Sequence, residues 1–129
     1  MITSPKFASL YTTDQQRALA FWTKTVGFTL QTDAPMAPDG DDPTRWIEVV
    51  PPDGGTYLVI FPAPDPALIG TMAGVWWSCD DLDVTVADLK AKGVEFPVEP
   101  QAAPWDPNAR WAQFSDPDGN LFGVSETAA

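Results

Sequence analysis

Arg110-Trp111-Ala112-Gln113-Phe114-Ser115-Asp116-Pro117-Asp118-Gly119-Asn120-Leu121-Phe122-Gly123-Val124 reads as a strand, a tight turn carrying Pro117 and Gly119, and a second strand that closes a hairpin. Its first residues have a counterpart far upstream. Arg45-Trp46 stands seven residues before Pro52-Asp53-Gly54, just as Arg110-Trp111 stands seven before Pro117-Asp118-Gly119. The shared spacing predicts an internal repeat.

The segments leading into each hairpin carry the repeat further. Phe7 to Tyr11 alternates like a short strand, and Asp14 is placed to cap a helix in which Ala18, Leu19, Phe21, Trp22 and Val26 form one apolar stripe before Gly27 ends it. Gly74 to Cys79 takes the same strand role in the second half, Asp80 or Asp81 the cap, Val84, Val86, Ala87 and Leu89 the helix, and Gly93 the stop. Asp14 lies 13 residues before Gly27, and Asp80 lies 13 before Gly93. Phe28–Thr32 and Val94–Val98 then predict second strands, with Asp33–Pro43 and Glu99–Asn108 read as loops, the latter holding Trp105. The order strand, helix, strand, strand, strand thus occurs twice, giving an α+β domain of two βαβββ modules, about 5–61 and about 73–126, with a proline-stiffened linker at about 62–72.

Composition narrows the function. A chain of 129 residues with 44% apolar residues suits one soluble domain. Its net charge of -11 opposes nucleic acid and anionic membrane surfaces, while leaving a neutral or cationic small molecule, or a protein partner, compatible. With no segment of transmembrane length and no signal-peptide pattern at the N-terminus, the expectation is a cytoplasmic protein without membrane attachment. The single cysteine, Cys79, is read as a buried thiol in a strand, since the chain contains no histidine to activate it.

The paired modules, with Asp14-Gln15-Gln16-Arg17-Ala18-Leu19-Ala20-Phe21-Trp22, Val26-Gly27-Phe28 and Asp116-Pro117-Asp118-Gly119-Asn120, resemble the glyoxalase, bleomycin-resistance and extradiol-dioxygenase superfamily, also called vicinal oxygen chelate. The resemblance implies a partly open eight-stranded curved sheet around a cavity, commonly completed in a homodimer. It also implies metal ligands of His, Gln or Glu on the first and fourth strands of each module. The corresponding positions here are Phe7, Leu58, Gly74 and Gly123, and none offers such a ligand. A metal-dependent glyoxalase or dioxygenase is therefore not expected, nor is any other cofactor.

If those four positions face inward, strand alternation places Ser9, Tyr11, Thr56, Ile60, Trp76, Ser78 and Leu121 beside them, and Ala8, Leu10, Tyr57, Val59, Val75, Trp77, Phe122 and Val124 against the helices. Taking Phe114 as core turns Trp111 and Gln113 toward the cavity, with Trp46 and Glu48 as their symmetric pair. The expected ligand-binding set is Phe7, Tyr11, Trp46, Glu48, Leu58, Trp76, Trp105, Trp111 and Gln113, with no catalytic residue and no metal ligand. Such rings suit a hydrophobic, planar or aromatic ligand, and Glu48 suits a cationic one. Two competing readings are a metal-free isomerase or lyase using Glu48 or Tyr11, and a dimeric accessory protein whose interior is filled by its own side chains.

Overall fold

The repeated pattern folds as two copies of one topology. In the computed structural model, which describes residues 1–37, 40 and 42–126, module one runs β1 (Phe7–Thr12), α1 (Gln15–Ala20) continued by a π-helical segment (Phe21–Val26), β2 (Thr29–Pro35), β3 (Arg45–Val50) and β4 (Tyr57–Pro62). Module two runs β5 (Met72–Cys79), α2 (Leu82–Ala91), β6 (Glu95–Ala103), β7 (Asp106–Ser115) and β8 (Leu121–Glu126). The strand orders are β1-β4-β3-β2 and β5-β8-β7-β6, with the first strand of each module parallel to its fourth. Two compact units meet at Ile69 and Gly70, just after a short 3-10 turn at Pro66–Leu68.

Both helices start as their caps dictate. The Asp14 carboxylate accepts the backbone N–H groups of Gln16 and Arg17 at 3.1 Å, and the Asp81 carboxylate accepts that of Val84 at 3.0 Å. Because Asp81 and not Asp80 is the cap, twelve residues separate cap from glycine stop in module two against thirteen in module one. The extra residue is absorbed where the first helix widens. There the Gly27 N–H reaches the Trp22 carbonyl five residues back, and the Thr23 hydroxyl donates to the Leu19 carbonyl at 2.7 Å, the acceptor an α-helix would give to its own backbone. Trp22 is fully buried on this widened turn, packed against Phe21 and Phe28.

Each sheet buries one face against its helix. In module one Leu10, Ile47, Val49, Leu58 and Ile60 are buried with Ala18 and Trp22; in module two Ala112, Phe114, Phe122 and Val124 are buried with Leu82, Val86 and Leu89. Phe114 stacks on Phe122 at 5.7 Å and meets Phe96 at 5.9 Å. Full burial of each such side chain contributes about 1.5–3 kcal/mol, so this face is what holds each module together.

Three expectations are corrected. First, Glu99 to Asn108 is not a loop: β6 and β7 form a long hairpin turning at Pro104 and Trp105. Pro97 and Pro100 are tolerated because β6 is the edge strand and its register is interrupted on both sides of Val98. Second, β2 extends through Asp33, Ala34 and Pro35, also as an edge strand, so that among the described residues of the Asp33–Pro43 stretch only Met36, Ala37, Gly40, Asp42 and Pro43 are outside regular structure; Pro38, Asp39 and Asp41 lie outside the described residues.

The third correction concerns the faces of β4. Pairing sets Phe7 beside Tyr57, Ser9 beside Val59 and Tyr11 beside Phe61, with Glu48 beside Val59. Leu58 and Ile60 therefore face the helix, fully buried, while Tyr57 and Val59 lie on the opposite face. The physical reason is one residue. In module two the strand resumes two residues after Gly119, but in module one a second left-handed glycine, Gly55 (φ 82°), follows Gly54 (φ 76°) and β4 starts at Tyr57. An extra residue in a turn exchanges the faces of the whole following strand.

Candidate functional site

Module two gathers three of the predicted tryptophans around one cleft. It measures about 570 Å3 and is walled by Trp76, Trp105 and Trp111, with Ala103, Pro104, Ala109, Arg110 and Ser125 between them. Trp76 and Trp111 meet edge to face, ring centres 5.5 Å apart, with planes at 62°. Trp105 sits at the tip of the β6–β7 hairpin and is 83% exposed, while Trp76 is 50% exposed. Rings held at a cleft with this much uncovered surface are available to stack on a flat ligand. Arg110 contributes no free charge, because its guanidinium is held bidentately by Asp83 at 2.9 and 3.0 Å, with Glu126 at 3.6 Å. That pairing holds the Asp83 carboxyl below its usual range and raises Arg110 further.

Trp76 owes its position to a glycine. β5 and β7 flank β8, so that Trp76 and Gln113 are both register partners of Gly123. The indole lies so close over Gly123 that a Cβ there would stand 2.2 to 2.6 Å from its ring carbons. Gln113 completes this row. It is only 6% exposed, and no hydrogen bond reaches its side-chain amide among the described residues.

Module one brings together Phe7, Tyr11, Trp46 and Glu48, and adds Tyr57 and Phe61. Trp46 is edge-on to Phe7 at 5.8 Å and to Phe61 at 5.2 Å; Phe7 also meets Tyr57, and Tyr11 meets Phe61. Glu48 lies on the same face and accepts from the Gln31 amide and the Trp46 indole N–H, both at 2.9 Å. These bonds, that from Gln31 most of all, hold its carboxyl below the usual range. Burial, and Glu48 nearby, push the Tyr57 phenol up. A carboxylate so stabilised is a weaker proton acceptor than an unbonded one. Leu58 does not join this group, for the reason given by the β4 register.

Sequence reasoning missed Tyr57 and Phe61, whose signal was the doubled Gly54-Gly55. It also missed Ala103, Pro104 and Ala109, which become cleft walls only because β6 and β7 form a hairpin. Cys79 is half-buried with its thiol pKa raised, chiefly by burial, and so is poorly nucleophilic.

The residues at the expected metal positions do not fit a metal. Gly74 has a φ of 74° at a register break in β5; Gly123 is covered by the Trp76 ring; Phe7 has no donor atom, and its neighbour on the fourth strand is the phenol of Tyr57. Among the described residues, no group of three or more His, Cys, Asp or Glu side chains could hold a metal ion. Nor is any helix among them long and apolar enough to cross a membrane.

Topology and sequence together define the class. The chain matches the Glyoxalase/Bleomycin resistance protein/Dioxygenase superfamily over residues 5–124 and belongs to it. It is 38% identical to the protein YetH of Bacillus subtilis (strain 168) over 119 residues, covering 92% of this chain and 93% of that one. Among solved structures it is similar to a superfamily member from Sphaerobacter thermophilus DSM 20745, at 30% identity and TM-score 0.82, covering 98% of each chain. It is also similar to TnmS3, an antibiotic binding protein from Streptomyces sp. CB03234, at 34% identity and TM-score 0.80, again covering 98% of each.

Proposed function

We propose that this protein binds a planar aromatic small molecule of the antibiotic type in the module-two cleft and sequesters it without chemical change. The observation that carries the reading is the convergence of Trp76, Trp105 and Trp111 on one cleft of about 570 Å3. Each ring contact adds about 0.5–1.5 kcal/mol beyond area burial, so three supply roughly a third of the about 8 kcal/mol of a micromolar complex, and burial of the ligand supplies the rest. TnmS3, with its description as an antibiotic binding protein, lends support from a chain 34% identical. A net charge of -11 favours cationic over anionic ligands of this shape.

The experiment is a tryptophan-fluorescence titration with a panel of planar polycyclic compounds, neutral and cationic. At least one should quench with micromolar or tighter affinity, and Trp111→Ala should weaken it about tenfold or more. Silence across a broad panel overturns the reading. A homodimer belongs to the same proposal, supported by Met72 at 55% exposure; sedimentation showing only monomer at assay concentration would remove that part.

A further inference from the structure

We propose that the leading ring of the ligand sits on Ser125, edge to face with Trp111, in the place that the Phe61 side chain takes beside Trp46 in module one. The compound taken up is then a molecule that ends in a plain benzene-sized aromatic ring. This rests on the binding reading above and names the seat and the ligand class for the same cleft.

The repeat supplies the correspondence position by position. Arg45-Trp46 matches Arg110-Trp111, and from there the strand registers agree. Glu48 pairs with Val59 on β4 and Gln113 with Gly123 on β8, so the residues two further along those strands, Phe61 and Ser125, hold the same place. On the first strand of each module, Tyr11 beside Phe61 answers to Ser78 beside Ser125. Both stand three residues before the aspartate that caps the following helix, Asp14 or Asp81.

The two modules fill these equivalent places differently. Trp46 has two edge partners, Phe7 at 5.8 Å and Phe61 at 5.2 Å, with planes at 86° and 80°. Trp111 has one ring partner among the described residues, Trp76, at 5.5 Å and 62°. Where the second ring would stand is the small side chain of Ser125, the register partner of Trp111, and it is there a wall of the cleft. Module one thus carries in its own chain a ring contact that module two leaves to a ligand. The attraction is the same in either case, since the positive rim of one ring meets the negative face of the other. A phenylalanine ring already fits the module-one counterpart, which is why the leading ring is a plain one. At about 570 Å3 the cleft has room beyond that seat, toward Ala103, Pro104 and Trp105, for the remainder of the molecule.

The test uses N-phenyl-1-naphthylamine, a neutral probe that ends in a phenyl ring and brightens in apolar surroundings, against the wild type, Ser125→Phe and Phe61→Ser. Ser125→Phe supplies the second ring from the chain itself, so it should melt no lower than wild type while binding the probe about tenfold or more weakly. Phe61→Ser opens the matching seat beside Trp46, and a second equivalent of probe should bind per chain. In the wild-type complex, nuclear Overhauser contacts should join the phenyl protons of the probe to the Ser125 β-protons. A folded Ser125→Phe that binds as the wild type does, a folded Phe61→Ser that takes up no additional probe, or phenyl protons that contact the other walls and not Ser125 each overturns the inference and leaves the aromatic cleft standing. Failure of the probe to bind the wild type would instead count against the cleft itself, and the seat with it.

Discussion

At position 123 the absence of a side chain is what lets the Trp76 ring lie against the sheet. Gly123→Ala puts a methyl group inside the Trp76 ring, and unlike the end of a long flexible chain an indole cannot give way locally. The variant should lose about 1–3 kcal/mol of stability in chemical denaturation and about tenfold in affinity for planar ligands. Adding Trp76→Ala should recover most of the stability without the affinity, which a double-mutant cycle reads directly. Trp105→Ala gives the contrasting outcome. With 83% of its surface already in solvent, its loss should shift stability by less than about 0.5 kcal/mol, yet ligand affinity should fall about tenfold. Equal loss in both measurements would make Trp105 a packing residue.

At the scale of the element, the turn before β4 controls which side chains of module one face away from the helix. Deleting Gly55 makes that turn as short as its counterpart at Gly119 and forces Leu58 and Ile60 off the helix face. The expected result is a loss exceeding about 3 kcal/mol, or no cooperative unfolding at all. The β2–β3 pair supplies a pH prediction. Glu48 has a depressed folded pKa, so on acidification the unfolded chain takes up the proton first; the stabilisation is present above about pH 4.5 and is lost as pH falls toward the folded value. Thermal melts should therefore converge for wild type and Glu48→Gln on going from neutral to acid pH, and a constant difference across that range would contradict it.

These elements also show what the sequence could carry. The repeat, the Asp14 cap, the placing of Trp76 and Trp111 on one face and every assigned face of the second hairpin followed from local spacing, because β7 and β8 alternate without interruption through Gln113, Phe114, Phe122 and Gly123. The β4 faces did not, since one additional glycine changes a parity that no local pattern records. The β6–β7 hairpin was hidden for another reason. Its prolines argue against strand by propensity, and only its place at the sheet edge makes them acceptable.

For the whole molecule, the dominant long-range term is charge. A net charge of -11 surrounds a cleft whose lone guanidinium is already paired with Asp83, so a cationic planar ligand should bind more weakly as salt rises, while a neutral one of the same outline should be nearly indifferent. Titrations at about 20 and about 500 mM salt separate the two, and equal salt dependence would remove the field from the account of binding.

The Trp76 ring resting on Gly123 also makes the two positions one unit: a ligating side chain at 123 would need the indole gone first, because even a Cβ there would stand 2.2 to 2.6 Å from its ring carbons. No single substitution at either position can therefore give module two a carboxylate beside an intact Trp76–Trp111 pair.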